Sequence, residues 1–443
     1  MSTVKQINRG SYGMADEDNE KMNYEEEYIP STEIPRPGLS VLTCALFIVG
    51  EMAGSGVLAL PKALENGGWS AVVLLVVCCF VSLYCGIMLS RCWTILRNKK
   101  EIYQSYSRDP YPSIGYECYG RVGRGIVETC LLITLFGVCV VFLLLAAQNV
   151  ASLVDRKIGV FTTEKEEARA WLLIISSILL PFTFLGTPKD MWPFALMATI
   201  STSVACLLII VKSLWDWPTD ISQVTTTDVT VESFFTSFGT IAFSFGGATL
   251  FPSFQADMKE PKKFPKAAMS AFLVVLLMYA PTCILSFVVY GSSLQSNVLQ
   301  TIKNHGDTGA IKNLGTAAEV LITGHLLFSF VITLNPISQQ VEEYLKWPHK
   351  FGFKRCFIRS LLLLLVLGVA EAIPKFGVIL SLIGGSTVTM MAFILPCVFY
   401  LKLNQRTPFY IKVLHAEIIA VALVSGGAAT YSAIISIKNT FVN

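Results

Sequence analysis

The chain has 443 residues, 53% of them hydrophobic and 15% charged, with a formal net charge of +3 and a mean hydropathy of +0.58. A soluble protein of this size is about 45–50% apolar and ~25% charged, so composition excludes a soluble enzyme, a secreted disulfide domain, a disordered chain and a fibrous protein. What remains is a polytopic membrane protein embedded in a lipid bilayer.

The first 37 residues are polar, with an acidic run from Asp16 to Glu33. They read as a disordered, solvated tail and not as a cleavable signal peptide. A helix needs about 20 apolar residues to cross a ~30 Å hydrocarbon layer. Eleven segments fit that length: 39–63, 69–91, 126–150, 171–186, 191–214, 234–254, 269–290, 314–337, 356–370, 376–400 and 411–437. The expected fold is therefore all-α, with one transmembrane domain over residues 38–437. The fourth and ninth segments are short. Glu128, Lys212, Arg359 and Glu371 fall near span ends and read as interfacial anchors or snorkelling side chains.

Lys and Arg set orientation. The loops carrying Arg97, Lys99, Lys100, Arg108, Arg121, Arg124, Lys259, Lys262, Lys263, Lys266, Lys346, Lys350, Lys354 and Arg355 are richer than the alternate set with Arg156, Lys157, Lys165, Arg169, Lys303 and Lys312. The richer set is expected in the cytosol, together with the N-terminus. No basic block tracks a phosphate backbone, which argues against nucleic acid as a partner. The twelve cysteines form no C-x-x-C pair. Most lie in apolar stretches and read as small packing residues. Plasma membrane and vesicle or lysosome membrane look alike at this level, and a monomer is the simplest assembly.

Two segments are interrupted. The first carries Gly50-Glu-Met-Ala-Gly-Ser-Gly56 and then Pro61; the sixth carries Ser244-Phe-Gly-Gly-Ala248 and then Pro252. Gly costs about 1 kcal/mol and Pro about 3 kcal/mol in a helix relative to Ala, so these clusters predict unwound backbone. At membrane depth such backbone must line a cavity or be buried in protein. The breaks occupy the same position in two five-helix halves, about 38–214 and 233–402, with an extra helix at about 411–437. Matched broken helices point to a transporter of two inverted repeats with its site at the midplane. The competing reading is close-packing glycine.

Gly54-Ser-Gly-Val-Leu-Ala-Leu-Pro61 with Gly67-Gly-Trp69, Phe245-Gly-Gly-Ala-Thr-Leu-Phe-Pro252 with Met258-Lys-Glu-Pro-Lys-Lys-Phe264, and Ile379-Leu-Ser-Leu-Ile-Gly-Gly385 with Phe393-Ile-Leu-Pro396 resemble signatures of the amino acid/auxin permease family in its helices 1, 6 and 10. Vesicular inhibitory and proton-coupled amino acid transporters belong to that family. The resemblance runs from about Pro37 to Leu403. It implies the fold of the amino acid–polyamine–organocation superfamily, with two inverted five-helix repeats plus one helix, and a substrate main chain held between the two breaks.

The residues suggest how. No Arg or Lys sits in the central third of any span, so backbone must hold a carboxylate. Half-helix N-termini offer free N–H groups and a positive dipole end. Gly54, Ser55 and Gly56 open the second half of helix 1, and Ser55 adds a hydroxyl. Carbonyls near Phe243 and Ser244 are expected to face an ammonium, and Gly246 and Gly247 to leave room for substrate. Phe243 and Phe245 flank the break and either close over the substrate or pack in the core. The absence of a basic residue disfavours acidic substrates, and a deep aromatic-lined site favours neutral amino acids.

Glu51 is the only acidic residue near the centre of a segment, about 18 Å into helix 1 at 1.5 Å per residue. An ionised carboxylate there costs at least about 2.5–3.5 kcal/mol, so it is expected to face the cavity. It binds the coupled proton, lines a cation site, or hydrogen-bonds loose backbone as a neutral acid. This acid departs from the family, which often has an amide, small or apolar residue there. A Na⁺ site built from helix 1 carbonyls and helix 8 hydroxyls such as Thr323 or Ser329 is the competing ion scheme. His325, also in helix 8, is either a pathway residue or an interhelical hydrogen bond. The function expected is proton-coupled transport of neutral L-amino acids by alternating access; a slow or non-transporting amino acid sensor and a Na⁺-coupled transporter are the alternatives. The four scattered histidines, with no H-E-x-x-H, G-x-S-x-G or nucleotide-binding loop, speak against an enzyme, a cofactor and an ATP-driven pump.

Overall fold

A computed structural model describes residues 38–104, 109–154, 164–184, 192–218, 224–305, 310–347 and 352–442. The acidic tail and the loop bases Arg108, Arg156, Lys157 and Lys350 lie outside the described residues. The described chain is helical throughout, with one isolated bridge between Leu39 and Met258. In chain order the α-helices are α1 (Val41–Met52), α2 (Ser55–Lys99), α3 (Pro110–Val154), α4 (Glu164–Thr183), α5 (Trp192–Trp215), α6 (Val231–Ser244), α7 (Phe251–Ala256) and α8 (Phe264–Tyr290). There follow α9 (Val298–Asn304), α10 (Ala310–Tyr344), α11 (Phe353–Ala372), α12 (Phe376–Ile383), α13 (Leu395–Leu403) and α14 (Phe409–Val442).

The described part of each apolar segment is mostly helical. Among the described residues, seven helical stretches are long and apolar enough to cross a membrane. The first and sixth segments fail that measure because they are cut. The fourth and ninth fail because charged turns open α4 and α11, which makes both helices longer than their apolar runs. The first and second segments run together in α2, which folds back at Gly68 with φ +58°. Gly120 does the same in α3 at φ +61°, setting an amphipathic start apart from the third span. Only glycine adopts that backbone without strain.

The core brings the two halves together. α2 packs against α6 and α8, and α10 against α5 and α3. α12 continues through two π-helical stretches, Gly384–Val388 and Met390–Ile394, into α13. Wide turns of this kind recur at functional sites. Here they lie beside α6: a Cβ on Gly384 would stand 1.8 Å from the Gly239 carbonyl oxygen. The described cysteines are free and mostly buried. Large apolar side chains such as Leu207, Leu277 and Val424 remain exposed on the outer flanks, as lipid-facing surface requires.

Two charges correct the reading of the span ends. Arg359 and Lys212 are buried, each at 1% exposure, and do not snorkel. Arg359 Nε donates to Glu342 Oε1 at 3.0 Å, Nη1 to the Thr183 carbonyl at 2.6 Å and Nη2 to Asn335 Oδ1 at 2.9 Å. One guanidinium thus ties α4, α10 and α11 together. Lys212 pairs with Asp216, which also accepts from the Tyr290 hydroxyl at 2.7 Å. A buried charge persists only when paired and hydrogen-bonded. Glu128 keeps an interfacial role, pairing with Arg124 at 2.7 Å. Arg359→Lys keeps the charge but loses the planar fork. It is expected to destabilise the purified protein by about 1–3 kcal/mol, because acceptors are left unpaired; thermal aggregation monitored by size-exclusion chromatography measures it.

Candidate functional site

α1 stops at Met52 and α2 starts at Ser55. Between them Ala53 donates back to Val49 O at 2.7 Å, and Gly54 N–H turns back to Met52 O at 2.9 Å. Gly54 has no side chain to cap α2, and no side-chain cap bond forms there. The first turn of α2 therefore opens on the amides of Ser55 and Gly56. The second break is longer. α6 ends at Ser244, a 3₁₀ turn spans Gly246–Leu250, and α7 follows. The outer anchors of the two breaks meet: Leu39 N–H donates to Asp257 O at 2.8 Å and Lys259 N–H to Leu39 O at 3.0 Å. The entry to α1 and the exit from α7 therefore share one face of the bundle.

The glycines at the breaks serve close approach. A Cβ on Gly56 would lie 2.6 Å from Ser244 Oγ, one on Gly246 2.9 Å from Val388 Cγ1, and one on Gly247 2.5 Å from Met52 Cγ. Val388 and Met52 thus stand against the faces expected to leave room for substrate. Gly56→Ala is expected to cost about 1–3 kcal/mol through overpacking and to lower the yield of folded protein, read as the monodisperse fraction after solubilisation.

Glu51 stands at this junction. Its side chain is exposed. Its Cγ lies 3.6 Å from where a Gly247 Cβ would be. His325 approaches from α10. Its Nδ1 lies 3.1 Å from the Ala198 carbonyl and 3.2 Å from Thr202 Oγ1. A carbonyl only accepts, so Nδ1 carries a proton. Nε2 faces the first break, 3.3 Å from where a Gly54 Cβ would be, with Ser329 Oγ at 3.4 Å.

Glu51, Gly54, Ser55, Gly56, Phe243, Ser244, Gly246 and Gly247 flank the two breaks, and His325 borders the first. Phe243 is half-buried. Two others point elsewhere. Phe245 is fully buried, stacked on Phe272 at 6.3 Å and tilted against Tyr279 at 5.7 Å. It takes the core-packing alternative, because its flat apolar ring finds aromatic partners on α8. Thr323 Oγ1 donates to Glu319 O within its own helix at 2.6 Å and is buried.

Sequence reasoning passed over Tyr279. From α8 its hydroxyl lies 2.5 Å from Met52 O and 3.2 Å from Ser244 O. It therefore reaches the cut ends of both first half-helices, and it occupies one of the two carbonyls expected to face an ammonium. The available signal was a phenol inside a span, because a buried tyrosine hydroxyl requires a partner. Glu319 was also missed as an acid inside a span. It is buried in α10, near Ser152 of α3 and Lys303 of α9, which reach each other.

The chain is similar to a solved structure of MhsT in complex with L-phenylalanine, with TM-score 0.55, 16% identity, and coverage of 90% of this chain and 99% of that one. That likeness carries the fold. Among curated relatives, "Amino acid transporter AVT1C" of Arabidopsis thaliana is 26% identical over 96% of this chain and 74% of its own length. "Amino acid transporter AVT1E" of the same plant is 25% identical over 87% and 71%. "Lysine histidine transporter-like 3", also from Arabidopsis thaliana, is 24% identical over 82% and 80%. The family described as transmembrane amino acid transporter protein matches residues 37–438, nearly the whole helical bundle with both of its breaks, and the chain belongs to that family.

Proposed function

We propose that this chain is a secondary-active transporter of neutral L-amino acids, coupled to protons and working by alternating access. The observation that carries the reading is the accessible Glu51 carboxylate beside Gly247, where the two unwound stretches meet. The substrate carboxylate sits on the uncapped amides of Ser55 and Gly56, where the helix dipole favours an anion. The substrate ammonium faces the carbonyls that end α6, at Phe243 and Ser244, the latter shared with Tyr279. Phe243 closes over the side chain. Glu51 takes up the coupled proton. The N-terminus is cytosolic, the working unit is a monomer, and the membrane is the plasma membrane or that of a vesicle or lysosome.

Proton coupling is favoured over a Na⁺ site on α10 by the exposed carboxylate of Glu51, a group that can take up and release a proton. The oxygens a Na⁺ site would use are those of Thr323, which donates to its own helix, and Ser329, which lies beside His325 Nε2. A second substrate class is supported by Glu51 itself: an exposed carboxylate at the junction balances the side-chain charge of a cationic amino acid. Uptake into proteoliposomes tests both. Radiolabelled neutral amino acids and lysine are offered separately under a pH gradient, a Na⁺ gradient, or neither. Accumulation of the neutral set under the pH gradient alone is expected. Accumulation under Na⁺ alone overturns the proton assignment, and lysine accumulating in preference overturns the neutral one. Binding without uptake under any gradient makes the protein a sensor.

A further inference from the structure

The face that carries α7's exit holds a cavity outside the two breaks. It measures about 310 Å³ and lies between the end of α2, the end of α7 and the turn Pro261–Lys263, with Tyr400 of α13 at its side. Arg91 and Lys262 line it and are exposed. Neither has an ion-pair partner among the described residues, whereas the neighbouring Lys263 is paired with Glu260 at 2.7 Å.

A third lining residue fixes the chemistry. Gln255 is 1% exposed. Its Nε2 donates to Thr94 Oγ1 at 3.1 Å and to the Pro261 carbonyl at 3.2 Å. The Pro261 carbonyl can only accept, and Thr94 already donates its own proton to Ser90 O at 3.0 Å. The amide therefore cannot be flipped. Its Oε1 is left buried with no hydrogen-bond partner among the described residues. A buried acceptor without a donor is uncommon in a folded protein. Two free cations call for an anion, and this acceptor calls for a hydroxyl beside it. Arg91 lies near the end of an apolar span, and Ile95 and Pro265 supply apolar lining.

We propose that this cavity binds the phosphorylated polyol head group of an anionic phospholipid. The phosphate lies between Arg91 and Lys262, and a polyol hydroxyl donates to Gln255 Oε1. Charge-assisted bonds from Arg and Lys to phosphate oxygens are the strong element of such a site.

Native mass spectrometry of the full chain, incubated in mixed micelles with one lipid at a time, tests this. Wild type is expected to retain phosphatidylglycerol about tenfold over phosphatidylcholine, as one or two charge-assisted contacts allow. It is expected to retain phosphatidylglycerol over phosphatidic acid, which has the phosphate without the polyol. Arg91→Gln combined with Lys262→Gln is expected to abolish the first preference, and Gln255→Leu the second. The two basic side chains are exposed, so their loss leaves the fold intact if the buried Gln255 variant does not. Retention of glycerol 3-phosphate without preferential retention of phosphatidylglycerol assigns the site to a free phosphorylated polyol instead of a lipid. Equal retention of phosphatidylglycerol and phosphatidylcholine by wild type, or an unchanged preference in the doubly substituted protein, overturns the proposal.

Discussion

Glu51→Gln is expected to abolish accumulation driven by a pH gradient while sparing exchange of internal for external amino acid. One pH unit corresponds to about 1.4 kcal/mol per proton, which sustains about tenfold accumulation for one proton per substrate. A carrier that cannot take up the proton cannot use that gradient, so its accumulation ratio falls to one. Exchange needs only the loaded site to change sides, and glutamine preserves the shape and hydrogen-bonding capacity of a neutral Glu51. The exposure of Glu51 matters to this expectation. A carboxylate facing lipid is held neutral by the cost of its charge, whereas one open to water can gain and lose a proton. The measurement is counterflow and pH-driven uptake on the same proteoliposome preparation. Unchanged pH-driven accumulation in the variant removes Glu51 from coupling. Equal loss of both activities assigns it to the integrity of the break instead.

The breaks were legible because glycine and proline act locally. Gly54, and Gly246 and Gly247, mark interruptions through their own backbone cost, and no partner has to be known. Spans were legible for a similar reason: the bilayer sets a length that hydropathy reports. What the residues touch was not legible. Gly246 and Gly247 read as open space, yet Val388 and Met52 lie against them, because a missing Cβ invites a neighbouring helix as readily as a ligand. Arg359 read as interfacial from its place near the end of an apolar run. The charged turns that lengthen α4 and α11 alter where that run ends, and the Glu342, Asn335 and Thr183 acceptors come from other parts of the chain. Phe245 was open between lid and core, and only the position of α8 decides it. His325 stood out as polar within a span, but its tautomer depends on a carbonyl of α5.

Tyr279→Phe is expected to slow net uptake and exchange together, by roughly five- to a hundredfold, for the loss of a buried hydrogen bond of about 1–3 kcal/mol. The hydroxyl has one proton and faces two carbonyl oxygens, of Met52 at 2.5 Å and Ser244 at 3.2 Å. Each belongs to the cut C-terminal end of a half-helix, where the dipole is negative. Two such ends close together repel, and the phenolic proton between them offsets that repulsion. In the proposed alternating-access scheme, movement of the α1 half relative to α6 would let the proton stay with one carbonyl or pass its bond to the other. Phenylalanine keeps the ring against Phe245 and removes only the hydroxyl. The signature separates this role from coupling: Glu51→Gln is expected to leave exchange intact, and Tyr279→Phe is expected to reduce it. Initial rates of counterflow at matched protein level read the difference. Wild-type counterflow in the Tyr279→Phe protein reduces the hydroxyl to a satisfied buried group and leaves the junction of α1 and α6 to be held by packing alone.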